Sequence, residues 1–199
     1  QDGRVIFVEG GLPGELVVAK VLKQSKDYAR GVVTEVLEAS EQRVQPPCEY
    51  VAQGCGGCDL QHASVALQRQ IKFDIVHESL VRLGKIVDPE VRLYESAELP
   101  VVAARTTLRV ASASQRVGFR QRRSHDVVPI ERCLVAHPSL NELLPKMRLD
   151  GAEECVVRVG VASGERMAWA EPADSVSGLP ADVGLNSDAV VRESILGQT

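Results

Sequence analysis

Three cysteines crowd into one short stretch, Cys48-Glu-Tyr-Val-Ala-Gln-Gly-Cys55-Gly-Gly-Cys58, which runs on into Asp-Leu-Gln-His62. The spacing is C-x6-C-x2-C, and Cys133 and Cys155 stand far downstream. Thiols two residues apart can aim at one centre, and Gly56-Gly57 between them lets backbone amides approach sulfur closely. Amide hydrogen bonds to sulfur help set the potential of an iron–sulfur cluster. A structural zinc site more often pairs two C-x2-C knuckles, and no second knuckle is present. Three clustered cysteines plus a remote one therefore favour a [4Fe–4S] cluster over zinc. From spacing alone the fourth ligand is either Cys133 or Cys155. Cys155 lies in an apolar run, ECVVRV, which suits a packed thiol. His62 is read as a helix-entry histidine rather than a ligand or base. No secretory signal opens the chain, so a cytosolic setting is expected, where disulfides are rare and crowded cysteines bind metal or do redox work.

The 199 residues include 44% apolar and 25% charged side chains, the balance of a folded globular protein. No apolar run approaches membrane-spanning length. The chain opens at Gln1 without an initiator Met, which suggests a fragment of a longer protein.

Apolar β-branched runs at 4–9, 15–23 and 28–37 are separated by turns such as Gly10-Gly11-Leu12-Pro13-Gly14. Short strands without helical patterning between them predict a small barrel or sandwich. The polar stretch 41–47 reads as a linker. Ser64 is placed to cap a helix reaching about Leu83, with Leu67, Ile71, Ile75, Val76, Leu80 and Leu83 on one stripe and Gly84 as its stop. Strand patterns resume over 99–135, at 154–161 and at 166–170, with a short helix near 139–149 that Pro145 disturbs. Residues 172–188 read as a loop and 190–196 as a final strand.

Charge is unevenly spread. Residues 1–147 carry 19 basic and 18 acidic side chains, whereas 148–199 carry 4 and 9. Within residues 16–34, Lys20, Lys23, Lys26 and Arg30 face only Asp27. Residues 105–132 form a second basic zone, with Arg105, Arg109, Arg116, Arg120, Arg122, Arg123 and Arg132 against Asp126 and Glu131, densest at Arg120, Arg122 and Arg123 with His125. Such clusters attract phosphate backbones, although charge runs are more often plain solvated faces. Tyr28, Phe119 and Trp169 are the candidate base stackers, and each is read as a core aromatic.

The order FVEGGLPGE and ARGVVTEVLE, then PPC…GCGGCDLQH and a helix, then ARTTLRV, VGFRQRRSHDVVPIERCLVAHPSL and NELLP, resembles the iron–sulfur-containing RNA (uracil-C5)-methyltransferases. The resemblance spans nearly the whole chain. It implies a mainly β protein with some α (α+β), in three parts. Residues 1–41 would form an OB-like TRAM barrel that is incomplete, its first strand missing. Residues 42–86 would form the cysteine loop and helix, and 87–199 a central antiparallel β domain that holds RNA. It also implies that Cys48, Cys55, Cys58 and Cys133 ligate a [4Fe–4S] cluster. Two departures stand out. The first cysteine gap is one residue longer than is usual, and the family's aromatic-Arg pair is Ala104-Arg105 here.

The resemblance further implies methyl transfer from S-adenosylmethionine to C5 of a uridine in ribosomal or transfer RNA. That chemistry belongs to a Rossmann-like C-terminal domain, expected beyond Thr199 and absent here. No catalytic residue is assigned in this chain, which alone is expected to be inactive, cytoplasmic and monomeric. The alternatives are a stand-alone iron–sulfur RNA-binding module and a zinc-stabilised interaction protein.

Overall fold

The computed structural model describes residues 5–92, 100–114, 116–186 and 191–192. The chain divides into two compact units: residues 1–47 with 59–95, and residues 48–58 with 96–199. The loop of three cysteines thus belongs to the second unit.

In the first unit, β1 (Val5–Glu9), β2 (Leu16–Gln24) and β3 (Tyr28–Glu38) form one sheet in the order β1-β3-β2. β2 runs antiparallel to β3 and β1 runs parallel to it. The strands fall where the apolar runs predict them. The β2–β3 register slips at three places, and at the last of these Gly31 passes close to β2. A Cβ on Gly31 would stand 2.9 Å from the Lys20 carbonyl oxygen, so only glycine fits that approach.

Glu15 fastens this unit. Its side chain is 1% exposed and meets the half-buried Arg43 at 2.5 Å through Oε1 and 2.6 Å through Oε2. The same carboxylate accepts from the Leu12 and Ser40 amides at 2.8 and 3.1 Å. Arg43 also donates to the Gly10 carbonyl at 2.7 Å. The Gly-Pro turn, the end of β3 and the linker are thereby tied to one buried ion pair.

Helix α1 (Val65–Arg82) begins where Ser64 predicts, with the Ser64 hydroxyl accepting from the Leu67 amide at 3.2 Å. Its apolar stripe buries no side chain fully, and Ile75, Val76 and Leu83 are exposed. Local bonds support it instead, including Gln70 to Asp74 across one turn at 2.7 Å. His62 lies in the turn before the cap, and its carbonyl accepts from the Val44 amide, in keeping with a helix-entry role.

The second unit is built on β4 (Thr107–Ala113), β5 (Arg116–Arg120), β6 (Val127–Pro129), the single-turn α2 (Pro138–Asn141), β7 (Arg148–Leu149), β8 (Glu154–Val159), β9 (Arg166–Ala170), β10 (Val176–Ser177) and β11 (Val183–Leu185). Six strands form one sheet in the order β11-β9-β8-β4-β5-β6, antiparallel except for the β11–β9 edge. Alternate residues of β4 and β8 point inward, as a half-buried antiparallel sheet requires. Leu108, Val110, Val157 and Val159 meet Leu140, Leu143, Leu144 and Met147 in one core. Each such side chain, fully buried, contributes roughly 1.5–3 kcal/mol.

Three local expectations are corrected. Residues 172–188, read as a loop, contain β10 and β11; their two- and three-residue lengths give periodicity too little to act on. The strand pattern from 99 begins only at Thr107, after Ala103 takes a positive φ of 57°. The helix near 139–149 is a single turn at 138–141, followed by turns around Pro145. Most of the strand expected at 190–196 lies outside the described residues, and Val191 and Arg192 are not in a strand.

Candidate metal centre and nucleic-acid interface

Cys48 precedes a short 3-10 turn, Glu49–Val51, which starts a loop folded onto β5. The Cys55 amide donates to the Tyr50 carbonyl at 2.9 Å, and the Gly56 amide donates to the Arg120 carbonyl at 3.0 Å. Cys55 forms an isolated bridge with Gln121. A Cβ on Gly56 would meet the Arg120 carbonyl oxygen at 2.8 Å and the Arg122 nitrogen at 2.9 Å, so this glycine permits the contact. Tyr50 accepts through its hydroxyl from the Glu131 amide at 3.2 Å.

Two of the arginines read as phosphate binders brace this loop. Arg105 donates to the Gly57 carbonyl at 3.2 Å and Arg122 donates to the Cys58 carbonyl at 3.1 Å. Sequence spacing gave no sign of these contacts.

Cys133 comes from the segment between β6 and α2. Asn141, at the end of α2, accepts from the Cys133 amide at 2.8 Å and donates to the Cys133 carbonyl at 3.0 Å. The same amide group reaches the Ala136 carbonyl at 3.3 Å. Asn141 was not legible as a site residue, because it falls in the short helix read near 139–149 and nothing in the sequence ties it to Cys133.

The thiols sense one another. Burial pushes the Cys55 thiol up, opposed by the Gly57 amide, and the neighbouring Cys48, Cys58 and Cys133 thiols add to the rise. Burial likewise pushes the Cys133 thiol up, opposed by the Val135 and Ala136 amides and by the Arg105 charge. Cys155 lies elsewhere, buried in β8, its thiol pushed up to about 11 by burial. All five cysteines are free thiols. Among the described residues, no three Cys, His, Asp or Glu side chains stand at single-ion spacing.

The basic residues divide between the units. In the first, Arg30 lies 5.9 Å from the Phe7 ring and 5.7 Å from the Tyr28 ring, and those rings meet edge-on at 6.0 Å. Lys23 stands opposite Arg30 on β2, and Lys20 opposite Val32. The Tyr28 hydroxyl titrates below its ordinary value, chiefly through its hydrogen bond with Ser25 and then the Lys23 charge. Lys26 sits in the exposed turn between β2 and β3.

In the second unit, Arg120 turns toward acid. It meets Glu154 at 3.0 Å and Glu153 at 3.5 Å, and approaches Nδ1 of His125 at 3.2 Å. Arg109 takes the other oxygen of Glu154 at 3.2 Å, and the two guanidiniums hold that carboxyl below its usual range. Arg123 is exposed in a turn with a positive φ of 56°. A cavity of about 260 Å³ lies between the Gly56-Gly57 backbone and the sheet, lined by Arg105, Arg109, Phe119, Arg120 and Glu154 among others. Phe119 is buried, as expected of a core aromatic. Trp169, expected in the core, is 48% exposed: β9 sets Ala168 and Ala170 inward and the indole outward.

Residues 1–34 match the TRAM domain family. The chain is 38% identical over 185 residues to an uncharacterized RNA methyltransferase of Streptomyces avermitilis, covering 86% of this chain and 43% of the relative. It is 42% identical over 149 residues to the 23S rRNA (uracil(1939)-C(5))-methyltransferase RlmD of Halomonas elongata, covering 74% and 31%. The crystal structure of Pyrococcus abyssi tRNA (uracil-54, C5)-methyltransferase, in complex with S-adenosyl-L-homocysteine, shares the fold. That likeness has a TM-score of 0.55 at 23% identity and covers 83% of this chain and 41% of that one. These likenesses define the class, TRAM-containing RNA methyltransferases. Within it, the chain belongs to the RNA (uracil-C5)-methyltransferase family. It spans less than half the length of these curated relatives. Among the described residues no helix is long and apolar enough to cross a membrane.

Proposed function

We propose that this chain is the substrate-binding and iron–sulfur portion of an S-adenosylmethionine-dependent RNA uridine C5-methyltransferase. The observation that carries the cluster reading is the gathering of Cys48, Cys55, Cys58 and Cys133 in one unit, close enough to perturb one another. Amide groups approach the sulfurs of Cys55 and Cys133, the donor pattern that stabilises cluster thiolates. Bound there, the [4Fe–4S] cluster would supply iron–thiolate bonds linking the 48–58 loop to Cys133, a structural role. Arg105, Arg122 and Asn141 hold the two sides in place.

Methyl transfer to uridine C5 is the proposed activity of the whole protein, and no step of it is assigned to a residue here. This chain's part is to grip RNA. Lys20, Lys23, Lys26 and Arg30 on the TRAM sheet, and Arg105, Arg120, Arg122, Arg123 and His125 on the second unit, are the proposed phosphate contacts. Such contacts hold register without reading sequence. The proposed setting is cytoplasmic.

The test is the iron, zinc and acid-labile sulfide content of anaerobically purified protein, with its visible spectrum. About four irons and four sulfides per chain, falling in Cys58→Ser, are expected. One zinc without sulfide, or full metal content in Cys58→Ser, would overturn the cluster assignment.

A further inference from the structure

Trp169 is the only tryptophan in the chain, and it stands on the outward face of the six-stranded sheet. It pairs directly with Val156 on β8, and Val156 pairs directly with Arg109 on β4. The three residues therefore form a rank across three strands, spanning about 10 Å at the usual strand spacing. Arg158 stands opposite Met167, placing it diagonally about 7–8 Å from Trp169. Val156 and Met167, both partly exposed, complete an apolar floor on the Trp169 side. Along the outward face of β4, β5 and β8 stand Arg109, Arg116, Arg120 and Arg158. Arg109 and Arg120 share Glu154, Arg120 also reaches Glu153, and Arg116 pairs with Glu131 at 2.9 Å.

A single exposed apolar side chain is ordinary. What distinguishes this one is its setting: a flat aromatic surface beside an apolar floor, with Arg158 diagonal to it and Arg109 at the end of the same rank. Unpaired RNA bases use the same combination, stacking on an aromatic face while their phosphates meet basic side chains. Stacking is indifferent to base identity, because every base has a π-face. Arg109 is 70% exposed and held by a surface ion pair, which a phosphate can replace, so the face suits a polyanion that carries stackable bases.

We propose that the outward face of β8 and β9 is a single-stranded RNA platform, with Trp169 stacking one unpaired base and Arg109 and Arg158 holding the adjoining phosphates. The proposal rests on the RNA-binding reading above and adds a site to it: Arg158 was not assigned from sequence, Arg109 was read only as part of a basic zone, and Trp169, a candidate stacker, was read as a core aromatic. It gives the protein a place to keep a base splayed from its loop, as chemistry on a base requires.

The lone indole makes the test direct. The 199-residue chain is titrated with fluorescein-labelled oligouridylate and oligoadenylate, following anisotropy for total binding and Trp169 emission for stacking. Quenching with the same midpoint as the anisotropy change is expected. Trp169→Ala should weaken binding about tenfold, and Trp169→Phe should bind nearly as the parent does. Arg158→Gln should weaken binding severalfold and reduce the salt dependence. Circular dichroism melts confirm that the exposed variants fold. Anisotropy binding with unchanged Trp169 emission, and Trp169→Ala binding like the parent, would overturn the platform and leave RNA binding standing. Absence of any anisotropy change would overturn the RNA-binding reading itself and the platform with it. Emission that shifts with protein concentration and ignores RNA would overturn the platform in favour of a protein partner.

Discussion

The Arg122 guanidinium donates to the Cys58 carbonyl at 3.1 Å, bridging 64 positions of sequence. Arg122 lies in the turn after β5, and Cys58 ends the cysteine loop. Arg105 does the same for Gly57 from the approach to β4. The charge of each arginine is thus placed over the loop whose thiols it helps to position. A guanidinium can make this contact and still present its remaining donors outward.

If Arg122 braces the loop, Arg122→Gln should raise amide hydrogen exchange at Gly57, Cys58 and Asp59 about fivefold, the equivalent of roughly 1 kcal/mol for one hydrogen bond at a partly exposed site. Arg122→Lys keeps the charge but loses the planar fork, so it should recover only part of the protection. Exchange indistinguishable from the parent in both variants would return Arg122 to a plain solvated charge.

The two glycines between Cys55 and Cys58 should behave differently. A Cβ on Gly56 collides with backbone of the turn after β5, whereas one on Gly57 meets the Cys55 sulfur at 3.6 Å and Phe119 at 3.9 Å, ordinary contact distances. Gly56→Ala should therefore lift the loop from β5 and cost about 2 kcal/mol. Gly57→Ala should stay within about 1 kcal/mol of the parent, aided by a stiffer unfolded chain. Urea unfolding of the two variants decides it, and equal midpoints would refute the docking argument.

Much of this was legible in the sequence, for reasons that can be named. β1, β2 and β3 carry long β-branched runs between glycine turns, and Ser64 announces α1, so local chemistry and structure agree. The cysteine spacing pointed to a shared centre before any fold was known. What stayed hidden depends on contacts between distant residues. Arg122 looks like a phosphate binder until its carbonyl partner is known. Asn141 looks like an ordinary helix residue until Cys133 is seen inside its reach. Trp169 was assigned to the core because large aromatics usually lie there. Yet the alternation Ala168-Trp169-Ala170 already contained two possible faces, and only pairing with β8 chooses between them.

Asn141 offers a separate test. Its amide satisfies both the N–H and the C=O of Cys133. Asn141→Leu keeps the volume and removes both bonds, leaving the Cys133 amide unpaired, while the Cys133 carbonyl keeps the Ala136 amide at 3.1 Å. A loss of about 2 kcal/mol is expected, with a fall in bound iron. Asn141→Asp can still accept from the Cys133 amide but cannot donate to its carbonyl, and should fall between. Stability by denaturant melts and iron content should drop together. A variant that loses neither would remove Asn141 from the centre.

Glu15 predicts an acid-sensitive first unit. Its carboxyl is lowered from 4.5 to about 2, chiefly by the Arg43 hydrogen bonds and despite burial, with help from the Leu12 and Ser40 amides. A carboxyl that titrates lower when folded stabilises fully above its unfolded value. That stabilisation is lost as the pH falls from about 4.5 toward about 2. The linkage is worth roughly 3 kcal/mol. Glu15→Gln should destabilise the parent at neutral pH and flatten the dependence of stability between those two pH values. A parallel acid profile for parent and variant would show that Glu15 is not the titrating group.

Cys155 should be chemically silent in the folded protein. It lies in β8 with 0% exposure, and burial pushes its thiol up to about 11, opposed only in part by the Trp169 amide. Thiolate is the reactive form, so at pH 8 the thiol is both protonated and shielded. In metal-free protein, iodoacetamide should label Cys48 and Cys58, which are partly exposed, well before Cys155. Cys155 should react only after urea unfolds the second unit, which makes it a built-in reporter of that unit's opening. Mass spectrometry of the labelled peptides reads both rates in one experiment. Labelling of Cys155 in native buffer as fast as that of Cys48 would mean that β8 opens without global unfolding, and would remove Cys155 from the fixed core.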